Sequence, residues 1–418
     1  MKKLIGTVAV AALLASAAFA EVSFSAWLNN LSAVVAGDGD EIRAGVANPW
    51  GGWRAARIGF GYTSDEEKVD MKIGLSWEAG SVSLFSSAYM AVKPWDWLRV
   101  SVGNFDDNDT GLRSDLSTPS WNWLRTNYLS TGEGITFSDI AGKGLRLQLF
   151  PVDGLHIAAL IPVSADFDVA KDVYNKTQVA VGYAIGDIGT IKLGWWGLSE
   201  SKKAAKAAGY YYGDDPIGGE DGLDISKPET WVDSDGNPFM PDWSKFSYSD
   251  GKGKPTGGVL NRFEAAFDLT AIDGMFLTVG AKLTIAEESD NNNYLVALGW
   301  RYNFTDTFAL FLDASAKFYG NSDNKPDIGA ALAVNVGLTD ALNLDAEVRY
   351  LHSGETAAKD AVNSISFLVG LNYAVSSNGV LGIGFEGITQ GQGFCYGDVL
   401  AYSDAFAWAV PIKVSIWF

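Results

Sequence analysis

Runs of alternating apolar and polar residues recur along the whole chain, and the connectors between them are short and long by turns. Period two sustained over about 9–14 residues means a strand with one apolar face. The last run shows it most plainly: Trp408, Val410, Ile412, Val414, Ile416 and Phe418 are apolar at every second position. Alternation and turn residues place strands at 22–35, 53–63, 67–78, 80–91, 97–105, 143–151, 153–163, 174–186 and 188–198. The series continues at 259–270, 273–286, 293–305, 307–319, 327–338, 341–352, 362–375, 378–389 and 404–418. That makes eighteen strands, with sixteen as the alternative count. No sustained helical period interrupts them, so the fold class is all-β.

The connectors decide what kind of all-β protein this is. Even-to-odd connections are short, at 64–66, 92–96, 152–153, 186–187, 271–272, 306, 339–340 and 376–377. Odd-to-even connections are mostly long, at 36–52, 106–142, 164–173, 199–258, 287–292, 320–326, 353–361 and 390–403. The tight turn near Ala79-Gly80 is the exception. A soluble sandwich or propeller has no reason to sort loop length by parity. A transmembrane antiparallel β-barrel does, with short turns on one side of the bilayer and long loops on the other. Strands of this length suffice to cross when tilted.

The first twenty residues read as an export signal. Lys2 and Lys3 are its positive segment, Leu4 to Leu14 its apolar segment, and Ala18-Phe19-Ala20 its cleavage site. Cleavage is expected before Glu21, leaving 21–418 as a single barrel domain with long external loops at 106–142 and 199–258. No later stretch reaches the eighteen uninterrupted apolar residues of a transmembrane helix. Without Lys2 and Lys3 the net charge moves from −19 to −21, which argues against nucleic acid as a partner. The one cysteine, Cys395, reads as unpaired in a loop, so no disulfide framework is expected.

The run ending on Phe418 resembles the C-terminal strand of bacterial outer-membrane barrels, which the barrel assembly machinery of that family reads. With the sorted connectors, the chain from Glu21 onward resembles Gram-negative outer-membrane porins of the 16- to 18-stranded kind. The resemblance implies an outer membrane in a diderm bacterium, lipid contact, and passive diffusion of small hydrophilic solutes and ions. Such porins are often homotrimers, and their third long loop folds inward to narrow the lumen.

Parity then sorts the faces. On 67–78, Val69, Met71, Ile73, Leu75 and Trp77 face lipid, leaving Asp70, Lys72 and Glu78 inside. On 341–352, Leu342, Leu344, Ala346, Val348 and Tyr350 face out, with Asp345, Glu347 and Arg349 in. The pore-lining basic set is Arg57, Arg99, Arg146, Arg262, Arg301 and Arg349, with Lys192, Lys282, Lys317 and Lys413 beside them. Inward acids are Glu264, Asp268, Asp313 and Glu386. Charge on the lipid face costs a few kcal/mol at mid-bilayer, so the sorting is physically forced.

In the porins the inward loop opposes its acids to a basic wall. Here loop 106–142 carries Asp106, Asp107, Asp109, Asp115, Glu133 and Asp139, which would set up a transverse field against Arg57, Arg99 and Arg146. The loop departs from the pattern in holding Arg113 and Arg125 as well. Between them, Trp121 and Trp123 either pack to pin the loop, the favoured reading, or offer a sugar-stacking surface. Aromatics near strand ends, among them Trp27, Trp53, Trp95, Trp97 and Tyr302, fit interfacial belts.

Other motifs carry less. Asp233-Ser-Asp235-Gly-Asn237 has its Gly too early for a calcium loop and lacks the closing Glu, so a solvated turn is expected. Gly382-Ile-Gly384-Phe-Glu-Gly387 matches a dinucleotide fingerprint by letter but lies within a strand. His156 and His352 sit on different strands with no identifiable nucleophile, so neither enzyme activity, metal nor cofactor is expected. Acidic loops favour cations as permeants, while the inward Arg and Lys residues favour anions. The rival to a pore is a surface barrel that acts as an adhesin or binding protein through its long loops, 199–258 above all.

Overall fold

The computed structural model describes residues 20–37, 42–44, 56–64, 67–78, 81–106, 108–116, 118–123, 135–163, 173, 175–199, 209–212, 215–217, 246–249, 259–286, 289–355, 360–389 and 406–418. The export signal up to Phe19, Cys395, Trp53 and the Asp233–Asn237 motif lie outside them.

Among the described residues, eighteen strands close into one antiparallel barrel. In chain order they are β1 (Ala20–Gly37), β2 (Ala56–Ser64), β3 (Val69–Glu78), β4 (Ser81–Trp95), β5 (Leu98–Phe105) and β6 (Gly142–Leu149). Then come β7 (Leu155–Pro162), β8 (Gln178–Ile185), β9 (Gly189–Ser199), β10 (Val259–Leu269), β11 (Met275–Ile285) and β12 (Asn293–Thr305). The last six are β13 (Phe308–Tyr319), β14 (Asp327–Gly337), β15 (Leu342–Ser353), β16 (Val362–Ser376), β17 (Gly379–Ile388) and β18 (Ala407–Trp417). Each falls on one of the eighteen expected runs, and a three-residue strand at Ile42–Ala44 adds to the edge of β1.

Neighbours in sequence are neighbours in the sheet, and β1 pairs with β18 to close it. At that seam Trp27 lies opposite Trp417 and Leu31 opposite Lys413. The Phe418 amide donates to the Ala26 carbonyl at 2.8 Å. Closure leaves the eighteen described barrel strands no free edge for another chain to pair with. The turns Asp153-Gly154 and Asp273-Gly274 place glycine at φ 77° and 72°, the left-handed geometry a tight hairpin requires.

Cross-strand partners share a face, so the register tests the parity assignment. Arg146 pairs with Ser101 and Leu160, Glu264 with Lys282, Arg349 with Ala331 and Ser366, and Glu386 with Leu368 and Ala409. These charged residues occupy one common face; Arg146, Glu264 and Glu386 are almost wholly buried, and Lys282 and Arg349 partly so. The opposite face shows large apolar side chains, with Val102 59%, Leu193 56%, Leu332 54% and Val348 55% exposed. Apolar outside and charged inside inverts the soluble pattern and is what a transmembrane barrel requires. No described helix is long and apolar enough to cross a membrane.

Residues Ser199–Val259 form a second compact unit. Its described part is a three-stranded antiparallel sheet with Gly209–Tyr212 in the centre, flanked by Asp215–Ile217 and Phe246–Ser249.

Candidate functional site: the charged face and the 106–142 segment

The segment between β5 and β6 lies against the charged face of the sheet, and acids of the wall supply many of its attachments. Ser120 donates from both its amide and its hydroxyl to the Glu347 carboxylate, each at 2.9 Å. Ser138 does the same to Glu264, at 2.6 and 2.9 Å. Ser114 donates to Asp268 at 2.7 Å, and the Trp123 indole N–H donates to Asp345 at 3.0 Å. Hydrogen bonds to a charged acceptor contribute about 1.5–3 kcal/mol each, roughly twice a neutral one.

Basic side chains of the wall pair with several of those acids. Lys192 pairs with Asp268 at 2.8 Å and also donates to Ser114 at 2.6 Å. Arg262 pairs with Glu264 at 2.8 Å and Lys282 follows at 3.7 Å. Arg349 bridges Asp313 and Glu347, both at 3.1 Å, and reaches Thr118 at 3.3 Å. A buried carboxylate without such a partner would be strongly destabilising.

The acids proposed for the segment itself have mixed placements. Asp109 pairs with Lys72 of β3 at 2.7 Å and accepts from Ser87 of β4 at 2.9 Å. It also accepts the Asp106 amide at 2.7 Å. Asp115 pairs with Arg113 within the segment, at 2.9 Å. Asp139 is buried and accepts the Thr110 hydroxyl, the Thr110 amide at 2.9 Å and the Ile140 amide at 2.7 Å. Burial pushes its carboxyl above the usual range, against the pull of those donors and of Arg146. Asp107, Glu133, Arg125 and the Trp121 side chain lie outside the described residues.

The basic set divides as well. Arg99 is bound to Asp70. Arg146 is fully buried with its guanidinium 3.9 Å from the Phe105 ring centroid and 5.3 Å from that of Tyr89, and among the described residues its three nitrogens have no hydrogen-bond partner. Arg301, opposite Phe311 on the inner face, is exposed. The Arg57 backbone pairs with Trp27 and Ser76 on that face, but its side chain lies outside the described residues.

Sequence reasoning put Glu264 and Asp268 on the inner face but did not see what they hold. Wall acids grip hydroxyls and amides of the segment, beside the Asp109–Lys72 pair in which a segment acid meets a wall base. The signal was the series Ser114, Thr118, Ser120, Thr136 and Ser138, hydroxyls concentrated in a segment that also carries aromatics.

Trp123 is fully buried and has no face left for a sugar to stack on. It packs with Leu31, Ala33, Ala36, Leu368, Ile388, Ala407 and Ala409 beside the seam. Gly382 and Gly384, the supposed nucleotide fingerprint, are two of the positions its ring lies on.

These features define a closed transmembrane barrel with a segment fastened to its charged inner face. No protein-family model matches the chain, and no curated protein matches it. Among solved structures it is similar to the anion-selective porin from Comamonas acidovorans, at TM-score 0.50 and 10% identity, covering 96% of this chain and 100% of that one. The outer membrane channel DcaP of Acinetobacter baumannii matches at TM-score 0.47 and 12% identity, over 96% of this chain and 98% of that one. OmpT, an outer membrane protein of Vibrio cholerae in its trimer form, matches at 0.45 and 12%, over 96% and 100%. At such identity a likeness speaks of fold and not of substrate. The fold is that of the outer-membrane porins.

Proposed function

We propose that this protein is a passive channel of the outer membrane, in which small hydrophilic solutes and ions diffuse through a watery lumen narrowed by residues 106–142. The observation that carries the reading is the fastening of Ser114, Ser120 and Ser138 to Asp268, Glu347 and Glu264. Those three acids sit on β10 and β15, so the segment follows the wall over a wide arc. A barrel of about eighteen strands is too wide for side chains alone to fill, so a segment laid along the wall sets the bore.

Residues 1–20 are the cleaved export signal in this reading, and 21–418 the single barrel domain, exposed to lipid and recognised for assembly through the Phe418 strand. Assembly as a homotrimer and a preference for cations complete it. Enzyme activity has no part in it.

Single-channel current through residues 21–418, refolded into a planar bilayer under a salt gradient, is the test. Stable openings of nanosiemens scale are expected, with a reversal potential of the sign for cations. A folded barrel that carries no current would overturn the pore. A second reading, an adhesin, has one observation in its favour: residues Ser199–Val259 form a compact unit of their own. Binding to host matrix by a non-conducting barrel would establish it.

A further inference from the structure

We infer that Trp123 is the positioning residue that sets the bore, held in a socket that the wall builds for it from glycines. This rests on the channel reading above and names the device within it.

Three glycines of two adjacent strands meet the indole. A methyl added at Gly370 of β16 would lie 2.3 Å from a ring carbon, at Gly384 of β17 2.9 Å, and at Gly382 3.1 Å. Real contacts at those two shorter distances do not occur, so the indole occupies space that a side chain at Gly370 or Gly384 would need. Gly370 and Gly384 are cross-strand partners, as are Gly382 and Lys413. The socket is therefore a patch of bare backbone rather than glycines scattered by chance.

The surrounding groups match every part of the indole. Its N–H donates to Asp345 at 3.0 Å. Asp345 is fixed in turn by Asn335 at 2.7 Å and Asn372 at 2.6 Å. The Lys413 ammonium stands 4.7 Å from the ring centroid, where a cation is attracted to the π face. A buried aromatic whose single donor is satisfied has one comfortable pose, and the chain leading to it is held accordingly. Ser120, three residues earlier, is bound to Glu347 on the neighbouring wall. The two attachments together hold the far end of the 118–123 stretch against β15–β17, so how far the segment stands from the wall is decided here.

The test compares wild type with Trp123→Ala, Trp123→Phe and Gly370→Ala in planar bilayers. The readings are conductance, open-channel noise and the size at which neutral polyethylene glycols cease to enter. Trp123→Ala releases the segment, and conductance should change by roughly twofold with a shifted polymer cut-off and greater noise. Gly370→Ala, which crowds the socket and leaves Trp123 in place, should reproduce that change. Trp123→Phe keeps a ring but no N–H, and should restore most of the cut-off. A purely structural role would alter the yield of folded barrel and leave the cut-off of those that fold unchanged. Should Trp123→Ala fail to fold, Gly370→Ala and Trp123→Phe decide the matter. Conducting wild type with variants of unchanged conductance and cut-off would overturn the role of Trp123 alone. Wild type without current would overturn the channel itself.

Discussion

Asp139 is a buried acid whose partners all donate to it from within its own segment, and its carboxyl is pushed up by burial. The unfolded chain releases this proton near about pH 3.9, and the folded chain releases it at a higher pH. A raised carboxyl adds stability that is complete below the unfolded value and is lost as pH rises through the folded one. Asp139→Asn is neutral throughout and should flatten this part of the profile. Thermal melting in detergent at about pH 4 and about pH 7 checks it, the wild type losing more between the two than the variant. Arg349 presents the opposite problem. Removing it leaves Asp313 and Glu347, both nearly buried, without their cation. Arg349→Ala should cost about 3 kcal/mol in guanidinium unfolding, whereas an exposed ion pair such as Lys93–Asp96 would cost almost nothing.

For the 106–142 segment, attachment is spread over several strands of the wall, and five of its bonds run from a hydroxyl or amide of Ser114, Ser120 or Ser138 to a wall carboxylate. Ser120→Ala and Ser138→Ala each remove a hydroxyl bond to a charged acceptor while leaving the amide bond beside it. Each should weaken the segment's hold by about 1.5–3 kcal/mol, read as increased open-channel noise with the barrel itself still folded. The strands tolerate less. Leu332 on the outer face of β14 is 54% exposed among other apolar side chains. Leu332→Arg should cost about 2–4 kcal/mol if it lies at the bilayer midplane, measured by unfolding from lipid vesicles.

At the scale of the whole molecule, and among the described residues, the wall acids Glu264, Asp268, Asp313 and Glu347 are each paired with a base of the wall, so a few accessible groups should govern selectivity. Arg301 is exposed on the inner face. Arg301→Leu should leave folding unchanged and move the reversal potential toward cations, because the variant removes a fixed positive charge from the path. Replacing the interior of Ser199–Val259 by a short Gly/Ser linker separates the two functional readings. A pore should conduct as before, while an adhesin should lose its binding.

The strands and their faces were legible in the chain because a bilayer imposes a strict rule on each residue separately. Every second side chain meets hydrocarbon, so Val348 must be apolar and Glu347 must point away, whatever lies across the barrel. Turns such as Asp273-Gly274 are local for the same reason, set by the backbone geometry of two residues. What Glu264, Asp345 and Glu347 bind was not legible, since their partners Ser138, Trp123 and Ser120 lie more than a hundred positions away. The strand pattern ruled out a nucleotide motif at Gly382 and Gly384, but what those glycines make room for was not legible while the ring that needs their space was out of sight. Periodicity along one strand determined which face each side chain takes, and closure of the barrel decided which distant side chains meet there, because only closure brings those strands around a common interior.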